Sequence, residues 1–290
     1  MTNYAFRLLN VFAEETLGGN PLCVFENATG MSDQQMQALA LQFNLSETVF
    51  IVRSDFATAK MRIFTPDTEM PFAGHPSLGT AQVVASVTNS TEVHLECKAG
   101  LVDLRLHNGI WTLTTPHKGE PLVRASGLSI AQAASLLGLN ESDIHSLPLW
   151  INTGSEQMLL PLNSREAVLR AAPDVNKLPI WPANSLGRKS VYVFAFDDPA
   201  PGGDERLAVT ARYFFAKQGG GFAEDPGTGS ACANLGGWWQ HQGRELPISM
   251  SIAQGAQVKR PCQLYLDVAA DKRIRVGGKV IEIAQGQLQI

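Results

Sequence analysis

Three short segments of the chain hold side chains that could move protons. Glu47 lies between Leu45 and the apolar run Val49-Phe-Ile-Val52. His75 lies in the glycine-rich segment Gly74-His-Pro-Ser-Leu-Gly-Thr80, and Asp225 opens a second such segment that ends at Ser230. Carboxylates and imidazoles act as general acids and bases near neutral pH when their surroundings shift their pKa values toward 7. The chemistry indicated is proton transfer on a small molecule.

Glu47 is the first candidate for the acid or base. A carboxylate half-surrounded by apolar side chains loses solvation, which raises its pKa toward the range that suits proton transfer near pH 7. The plainer alternative is a solvated loop glutamate. The local sequence by itself favours that alternative.

Two glycine-rich turns that run into helices are candidate anion sites. The first turns of a helix carry unpaired backbone N–H groups and a partial positive charge. Gly227 and Gly229 allow a ligand to approach the backbone, and Thr228 and Ser230 add hydroxyl donors. The alternative is that both segments are simply well-capped helix starts.

His75 and Asp225 each have two interpretations. His75 is either an acid or base, or a donor to substrate, and otherwise a turn residue that caps its own helix. Asp225 precedes Pro226 at a helix start, which is also a common capping position. Cys232, inside an apolar helix, is interpreted as a core cysteine.

The chain contains an internal repeat. Arg62–Ala81 aligns without a gap on Arg212–Ala231, and seven of the twenty positions are identical. In both copies a polar turn runs into an apolar helix, and in this alignment His75 matches Asp225. The repeat predicts two half-domains that build one site.

The elements around the repeat predict an α+β fold. Each half is mostly strand, with one almost uncharged helix, at 76–88 and 229–241, that the strands must wrap. Capping boxes at Ser32/Gln35 and Ser129/Gln132 predict two further helices. We place the halves at residues 1–118 and 119–290, leaving open whether the last strand returns to the first half.

Composition limits the function. The 290 residues are 44% hydrophobic and 17% charged, as in a packed domain, and the net charge of −4 comes without a basic cluster for nucleic acid. The four cysteines are isolated, and no apolar run is long enough to span a membrane. We expect a cytoplasmic protein without zinc or redox chemistry, and the net charge still allows a small anionic substrate.

Four motifs together resemble the PhzF family of phenazine biosynthesis, which shares the diaminopimelate epimerase fold. They lie at Gly18–Phe25, Leu45–Phe50, Arg62–Pro66 with Pro71–His75, and Glu224–Ala231, in the family's order. The resemblance implies two pseudo-symmetric halves, each a barrel-like sheet around a central helix, with the site in the cleft between them. It also implies a homodimer.

The resemblance further implies a cofactor-free isomerase that shifts a proton on a small, carboxylate-bearing, cyclic substrate, such as dihydro-hydroxyanthranilate. Glu47 would carry the proton, with His75 and Asp225 as further catalytic groups. Substrate would be held by residues of the helix starts and of the first motif: Asn20, Gly74, Gly227, Thr228, Gly229 and Ser230.

Two other functions remain open from the sequence. One is an amino-acid epimerase or racemase that uses carboxylates. The paired cysteines of the epimerase branch are absent, because the corresponding positions are His75 or Pro76 and Asp225 or Pro226. The other is a binding protein without catalysis.

Overall fold

A computed structural model describes residues 1–115, 119–198 and 205–290. The chain divides into two compact units. Unit 1 comprises Met1–Thr114 and Gly277–Ile290, and unit 2 comprises Thr115–Val276. The boundary predicted between residues 118 and 119 adjoins residues 116–118, which lie outside the described residues.

Both units contain helices and strands, with strands in the majority. The α-helices are α1 (Asp33–Phe43), α2 (Gly74–Thr88), α3 (Ile130–Leu137), α4 (Arg165–Arg170) and α5 (Gly229–His241). The strands are β1 (Asn3–Val11), β2 (Asn20–Phe25), β3 (Thr48–Val52), β4 (Ala59–Phe64), β5 (Glu69–Met70), β6 (Glu92–Cys97), β7 (Gly100–His107), β8 (Ile110–Thr114), β9 (Leu122–Ala125), β10 (Leu149–Asn152), β11 (Glu156–Pro161), β12 (Ser190–Phe196), β13 (Leu207–Ala216), β14 (Phe222–Asp225), β15 (Ile248–Gln254), β16 (Cys262–Val268), β17 (Ile274–Gly278) and β18 (Val280–Gln289). In the described part of the chain, no helix is long and apolar enough to cross a membrane.

Unit 1 is a sheet wrapped around α2. Its strands pair in the order β18, β1, β2, β3, β4, β6, β7, β8. The pairs β2/β3 and β4/β6 are parallel and the others antiparallel. Helix α2 contacts strands throughout this order, and every residue from His75 to Ala81 is buried. Its lack of charge follows from this position.

Unit 2 repeats the arrangement around α5. Its strands pair in the order β9, β10, β11, β12, β13, β15, β16, and the parallel pairs are β11/β12 and β13/β15. Helix α5 contacts β10, β11 and β16, and its residues Ala231–Gln240 are buried. The predicted α+β fold, with an apolar helix inside each sheet, is confirmed.

Each unit also contains an arginine clamp at the repeat. Arg62 on β4 donates from Nε and Nη2 to the two oxygens of Glu69 on β5, both at 2.8 Å. Arg212 on β13 donates in the same way to Glu224 on β14, at 3.1 and 2.7 Å. Each guanidinium also lies over the phenylalanine two residues further on, which is a favourable cation–π arrangement.

The clamps show that the gapless repeat alignment is correct from Arg62 to Phe64 but wrong for the residues that follow. Phe64 pairs with Glu69 across the first hairpin, and Phe214 pairs with Glu224 across the second. The central helix begins 12 residues after Arg62 but 17 residues after Arg212. The second copy therefore has five more residues in its hairpin. The later identities in the gapless alignment do not mark equivalent positions.

The strand register and helix starts give the correct equivalences. His75 and Ser230 are both the second residue of the central helix, so Ser230, not Asp225, is the counterpart of His75. Thr48 opposes Phe64 and Val191 opposes Phe214, which makes Ser190 the counterpart of Glu47. Glu47 therefore has no acidic counterpart in unit 2.

The clamp of unit 2 is less exposed to solvent than the clamp of unit 1. This difference leads to a prediction about stability. The side chains of Arg212 and Glu224 are 12% and 8% exposed. Glu224→Gln therefore leaves a buried cation that keeps neutral backbone carbonyls as partners, those of Val168, Leu169 and Ala171, but loses its carboxylate. We expect the free energy of unfolding to fall by about 3 kcal/mol. Glu69→Gln should have a smaller effect, because Arg62 keeps its contact with Asp33.

Urea unfolding curves measure both variants. Asp55→Asn, in the exposed pair with Arg53, is the control and should leave the curve unchanged. Equal effects of Glu224→Gln and Asp55→Asn would contradict the prediction.

Candidate active site

The two central helices lack the side-chain caps that the peripheral helices have. Ser32, Ser129 and Ser164 each accept a hydrogen bond from the first turn of α1, α3 and α4, and the two predicted capping boxes are confirmed. The N-cap residues of α2 and α5, Ala73 and Thr228, make no such bond. The first turns of the two central helices thus keep backbone N–H groups for another acceptor.

At the start of α2 the fold brings Glu47 and His75 together. Glu47 immediately precedes β3, and the register of β3 places it beside the helix start. Its Oε2 lies 3.5 Å from Nδ1 of His75, and its side chain is only 16% exposed. The interpretation of Glu47 as an ordinary solvated loop residue is therefore wrong.

His75 is held neutral by its surroundings. The residue is 6% exposed, and burial lowers its pKa to about 3, although a hydrogen bond with the backbone of Pro21 acts in the opposite direction. The contact with Glu47 is therefore not an ion pair at neutral pH. Among the described residues, Nε2 of His75 has no hydrogen-bond partner.

Residues of the first motif lie at the start of α2. Asn20 begins β2, opposite Val11 of β1, and is fully buried. The backbone of Pro21, the next residue, is the one that bonds His75. Gly74 begins α2 directly before His75 and is partly exposed. Unit 1 thus brings together Asn20, Glu47, Gly74 and His75 as the sequence predicted, while their roles stay predictions.

At the start of α5 a second set of predicted residues lies together. The hydroxyl of Thr228 donates to Oδ2 of Asp225 at 2.5 Å. The amide of Gln254 donates to the backbone oxygen of Asp225 at 2.8 Å and to Oγ1 of Thr228 at 3.0 Å. Gly227 is buried in this turn, and Gly229 begins the helix. The carboxylate of Asp225 is therefore fixed rather than acting as the helix cap.

Ser230 is supported by residues that the sequence did not single out. Nε2 of Gln157 donates to Oγ of Ser230 at 2.8 Å. Oε1 of Gln157 accepts from Nδ2 of Asn234 at 2.7 Å, and Asn234 in turn bonds Thr153. The available signal was a lone asparagine inside an otherwise uncharged apolar helix, since such a side chain needs partners when buried.

None of the four cysteines suits thiol chemistry. All are buried, and burial raises the pKa of each: Cys23, Cys97, Cys232 and Cys262. A buried thiol with a raised pKa is a poor nucleophile or base because little thiolate forms. The assignment of Cys232 to the core is confirmed, and a route through paired thiols has no support in these residues.

Comparison with known proteins agrees with this architecture. The family model described as phenazine biosynthesis-like protein, PhzC-PhzF, matches residues 9–286. An uncharacterized isomerase of Pasteurella multocida is 41% identical over 291 residues, covering 99% of this chain and 95% of the relative. The trans-2,3-dihydro-3-hydroxyanthranilate isomerase of Pseudomonas chlororaphis is 30% identical over 290 residues, covering 97% and 98%.

Among solved structures, the PhzF-family phenazine biosynthesis protein of Bacillus anthracis has the same fold. Its TM-score is 0.85 at 20% identity, over the full length of both chains. Two sheets, each around a buried helix, and relatives named as isomerases define the class of this protein as an isomerase. More particularly, the chain belongs to the phenazine biosynthesis-like PhzC-PhzF family, as its motifs indicated.

The burial of His75 predicts a specific loss of stability in acid. The unfolded chain binds a proton at this residue below about pH 6.5, whereas the folded chain does so only near pH 3. Stability is therefore unaffected by His75 above about pH 7 and decreases as the pH falls from 6.5 toward 3. His75→Gln removes this contribution, so its free energy of unfolding should fall less steeply over that range.

Urea unfolding at several pH values between 4.5 and 7.5 measures the slope. His107→Gln, the same exchange at an exposed position, controls for removing a histidine. Identical slopes for wild type and His75→Gln would show that His75 is not held neutral in the folded state.

Proposed function

We propose that this chain isomerises a small, cyclic carboxylate by proton transfer, without a cofactor, and that Glu47 is the general acid and base. The observation that carries the proposal is the pairing of the largely buried Glu47 carboxyl with the neutral His75, 3.5 Å apart. The names of the Pseudomonas relatives, which act on trans-2,3-dihydro-3-hydroxyanthranilate, support the substrate class.

The proposed step is balanced without an oxidant or reductant. The Glu47 carboxylate takes a proton from one carbon of the substrate, and the electron pair of that C–H bond moves into the conjugated system. The resulting carboxylic acid returns the proton to a second carbon of the same system. A group placed near both carbons can serve in both directions because it ends in its starting state.

The neutral state of His75 suits this cycle. A protonated imidazole at 3.5 Å would hold the Glu47 carboxyl in its ionised form, whereas a neutral ring does not favour either state so strongly. Nε2 of His75 has no hydrogen-bond partner among the described residues, and we assign it to a hydrogen bond with a polar atom of the substrate. The N–H groups at the uncapped helix starts would stabilise negative charge that develops on the substrate.

The start of α5 is assigned to the same reaction. Asp225, fixed by Thr228 and Gln254, would orient the substrate or steer the proton, and Thr228 and Ser230 would bind its polar groups. Gly227 and Gly229 allow the ligand to approach the backbone there, as Gly74 does at α2. Asn20 is assigned to substrate binding beside His75.

Glu47→Gln tests the central role. The amide keeps the shape of the side chain but cannot exchange a proton, so kcat should fall by about 100-fold or more. The measurement is incorporation of solvent deuterium into trans-2,3-dihydro-3-hydroxyanthranilate, followed by mass spectrometry. Glu92→Gln, an exposed glutamate of unit 1, is the matched control and should label at the wild-type rate.

The two ways of failing are distinct. Undiminished labelling by Glu47→Gln would remove this residue from the mechanism. Absence of labelling with wild type would instead reject the substrate, and the search would turn to metabolite pools for a compound that gains deuterium.

Asp225→Asn tests the contribution of unit 2. We expect kcat to fall by roughly 100-fold if the carboxylate takes part in proton transfer. Thr228→Val should also lower kcat, since it removes both the 2.5 Å hydrogen bond that holds the carboxylate and a hydroxyl proposed to bind the substrate. Asp271→Asn, an exposed turn residue of the same unit, is the control. Wild-type rates in Asp225→Asn would exclude its role.

A further inference from the structure

A chain of hydrogen bonds beneath Ser230 has a fixed direction. It starts at the backbone N–H of Thr153, which can only donate, and Oδ1 of Asn234 accepts it at 2.9 Å. This contact sets the orientation of the Asn234 amide. Its Nδ2 therefore faces the opposite way and donates to Oε1 of Gln157 and to the carbonyl of Ser155, both at 2.7 Å.

The orientation passes on to Ser230. Because Oε1 of Gln157 is used as an acceptor, Nε2 of the same amide faces Oγ of Ser230, at 2.8 Å. An amide NH₂ group only donates, so the serine oxygen must accept. The hydroxyl proton of Ser230 then points away from Gln157. Ser230 is partly exposed, so that proton is available to a ligand.

The three supporting residues are almost completely shielded from water. Thr153, Gln157 and Asn234 are 3%, 4% and 0% exposed. Reversing either amide would bring like groups together in a region where no water can replace the lost hydrogen bonds, which is costly. The direction of the chain is therefore fixed.

Unit 1 shows that the fold does not require these polar residues. By strand register and helix position, the counterparts of Thr153, Gln157 and Asn234 are Val11, Leu22 and Gly79. These three pack directly, since a Cβ at Gly79 would lie 2.4 Å from Leu22 and 3.3 Å from Val11. The same place in the same architecture is apolar in one unit and hydrogen-bonded in the other.

We propose that Thr153, Asn234 and Gln157 are positioning residues that keep Ser230 a hydrogen-bond donor to an anionic group of the substrate. This inference rests on the proposed function, which assigns Ser230 to substrate binding. It adds a ligand preference: the Ser230 hydroxyl binds a carboxylate or enolate oxygen and rejects a hydrogen-bond donor.

Gln157→Glu is the main test, because it keeps the shape of the side chain and reverses the last hydrogen bond. At pH 8 the introduced carboxylate accepts from Ser230 and withdraws the proton from the ligand. Binding of 3-hydroxyanthranilate, a stable aromatic carboxylate related to the proposed substrate, and of benzoate is measured by calorimetry. We expect roughly tenfold weaker binding, as for Ser230→Ala.

A double-mutant cycle distinguishes an effect of Gln157 through Ser230 from simple charge repulsion. If Gln157 acts through Ser230, adding Gln157→Glu to Ser230→Ala causes no further loss of affinity. Repulsion between the introduced carboxylate and the anion would persist without the serine hydroxyl. Gln263→Glu is the matched control, because Gln263 likewise donates to a serine of the same unit, Ser251, at 2.9 Å. It should bind as wild type does.

The pH dependence distinguishes positioning from structural damage. Once protonated, the introduced carboxyl group can again donate to Ser230, so the affinity of Gln157→Glu should recover toward wild type as the pH is lowered to 5. Gln157→Leu, which copies unit 1, should bind weakly at both pH values. Urea unfolding shows that the variants compared are folded.

Each outcome decides one of the two proposals. Additive losses of affinity in the cycle, or no recovery of affinity at pH 5, overturn the positioning role of Gln157 and leave the proposed function intact. If wild type binds benzoate but not 3-hydroxyanthranilate, the proposed substrate class is overturned. The double-mutant cycle measured with benzoate then still decides the positioning role of Gln157. Wild type that binds neither compound overturns the assignment of Ser230 to an anion.

Discussion

The wrapping of a sheet around one helix is the constraint on which each unit depends. A helix covered on its sides must be apolar along its length, and its few polar side chains must find partners nearby. In α2 the hydroxyls of Ser77 and Thr80 donate to carbonyls one turn back in the same helix. The N-terminus differs, because no preceding turn supplies carbonyl acceptors for its first N–H groups.

The same constraint explains why the polar residues of interest gather at the starts of α2 and α5. Neither end has a side-chain cap, whereas the three peripheral helices are capped by serines. Buried polar groups then surround the ends: His75 and Asn20 in unit 1, and Thr228 with Gln254 in unit 2. Burial also decides the charge of His75, since it makes the protonated ring too unfavourable.

The two units share one architecture and differ in the side chains at the starts of their central helices. The arginine clamp is common to both, as are the order and the parallel or antiparallel sense of the strand pairs that carry it. Around the helix start, unit 1 has Glu47 and His75 where unit 2 has Ser190 and Ser230. The apolar packing of Leu22 on Gly79 is replaced in unit 2 by the amide pair of Gln157 and Asn234.

The amino-acid sequence by itself determined the α+β class, the two central helices, the capping boxes and the family, because these depend on local periodicity and on short motifs. It also named Glu47, His75, Asp225 and Ser230. Only the tertiary structure decided which positions of the two copies are equivalent, since a five-residue difference in hairpin length hides among chance identities. Likewise, the burial of Glu47, the neutral state of His75 and the direction of the amide chain depend on residues far apart in sequence. Spacing along the chain carries no information about such contacts.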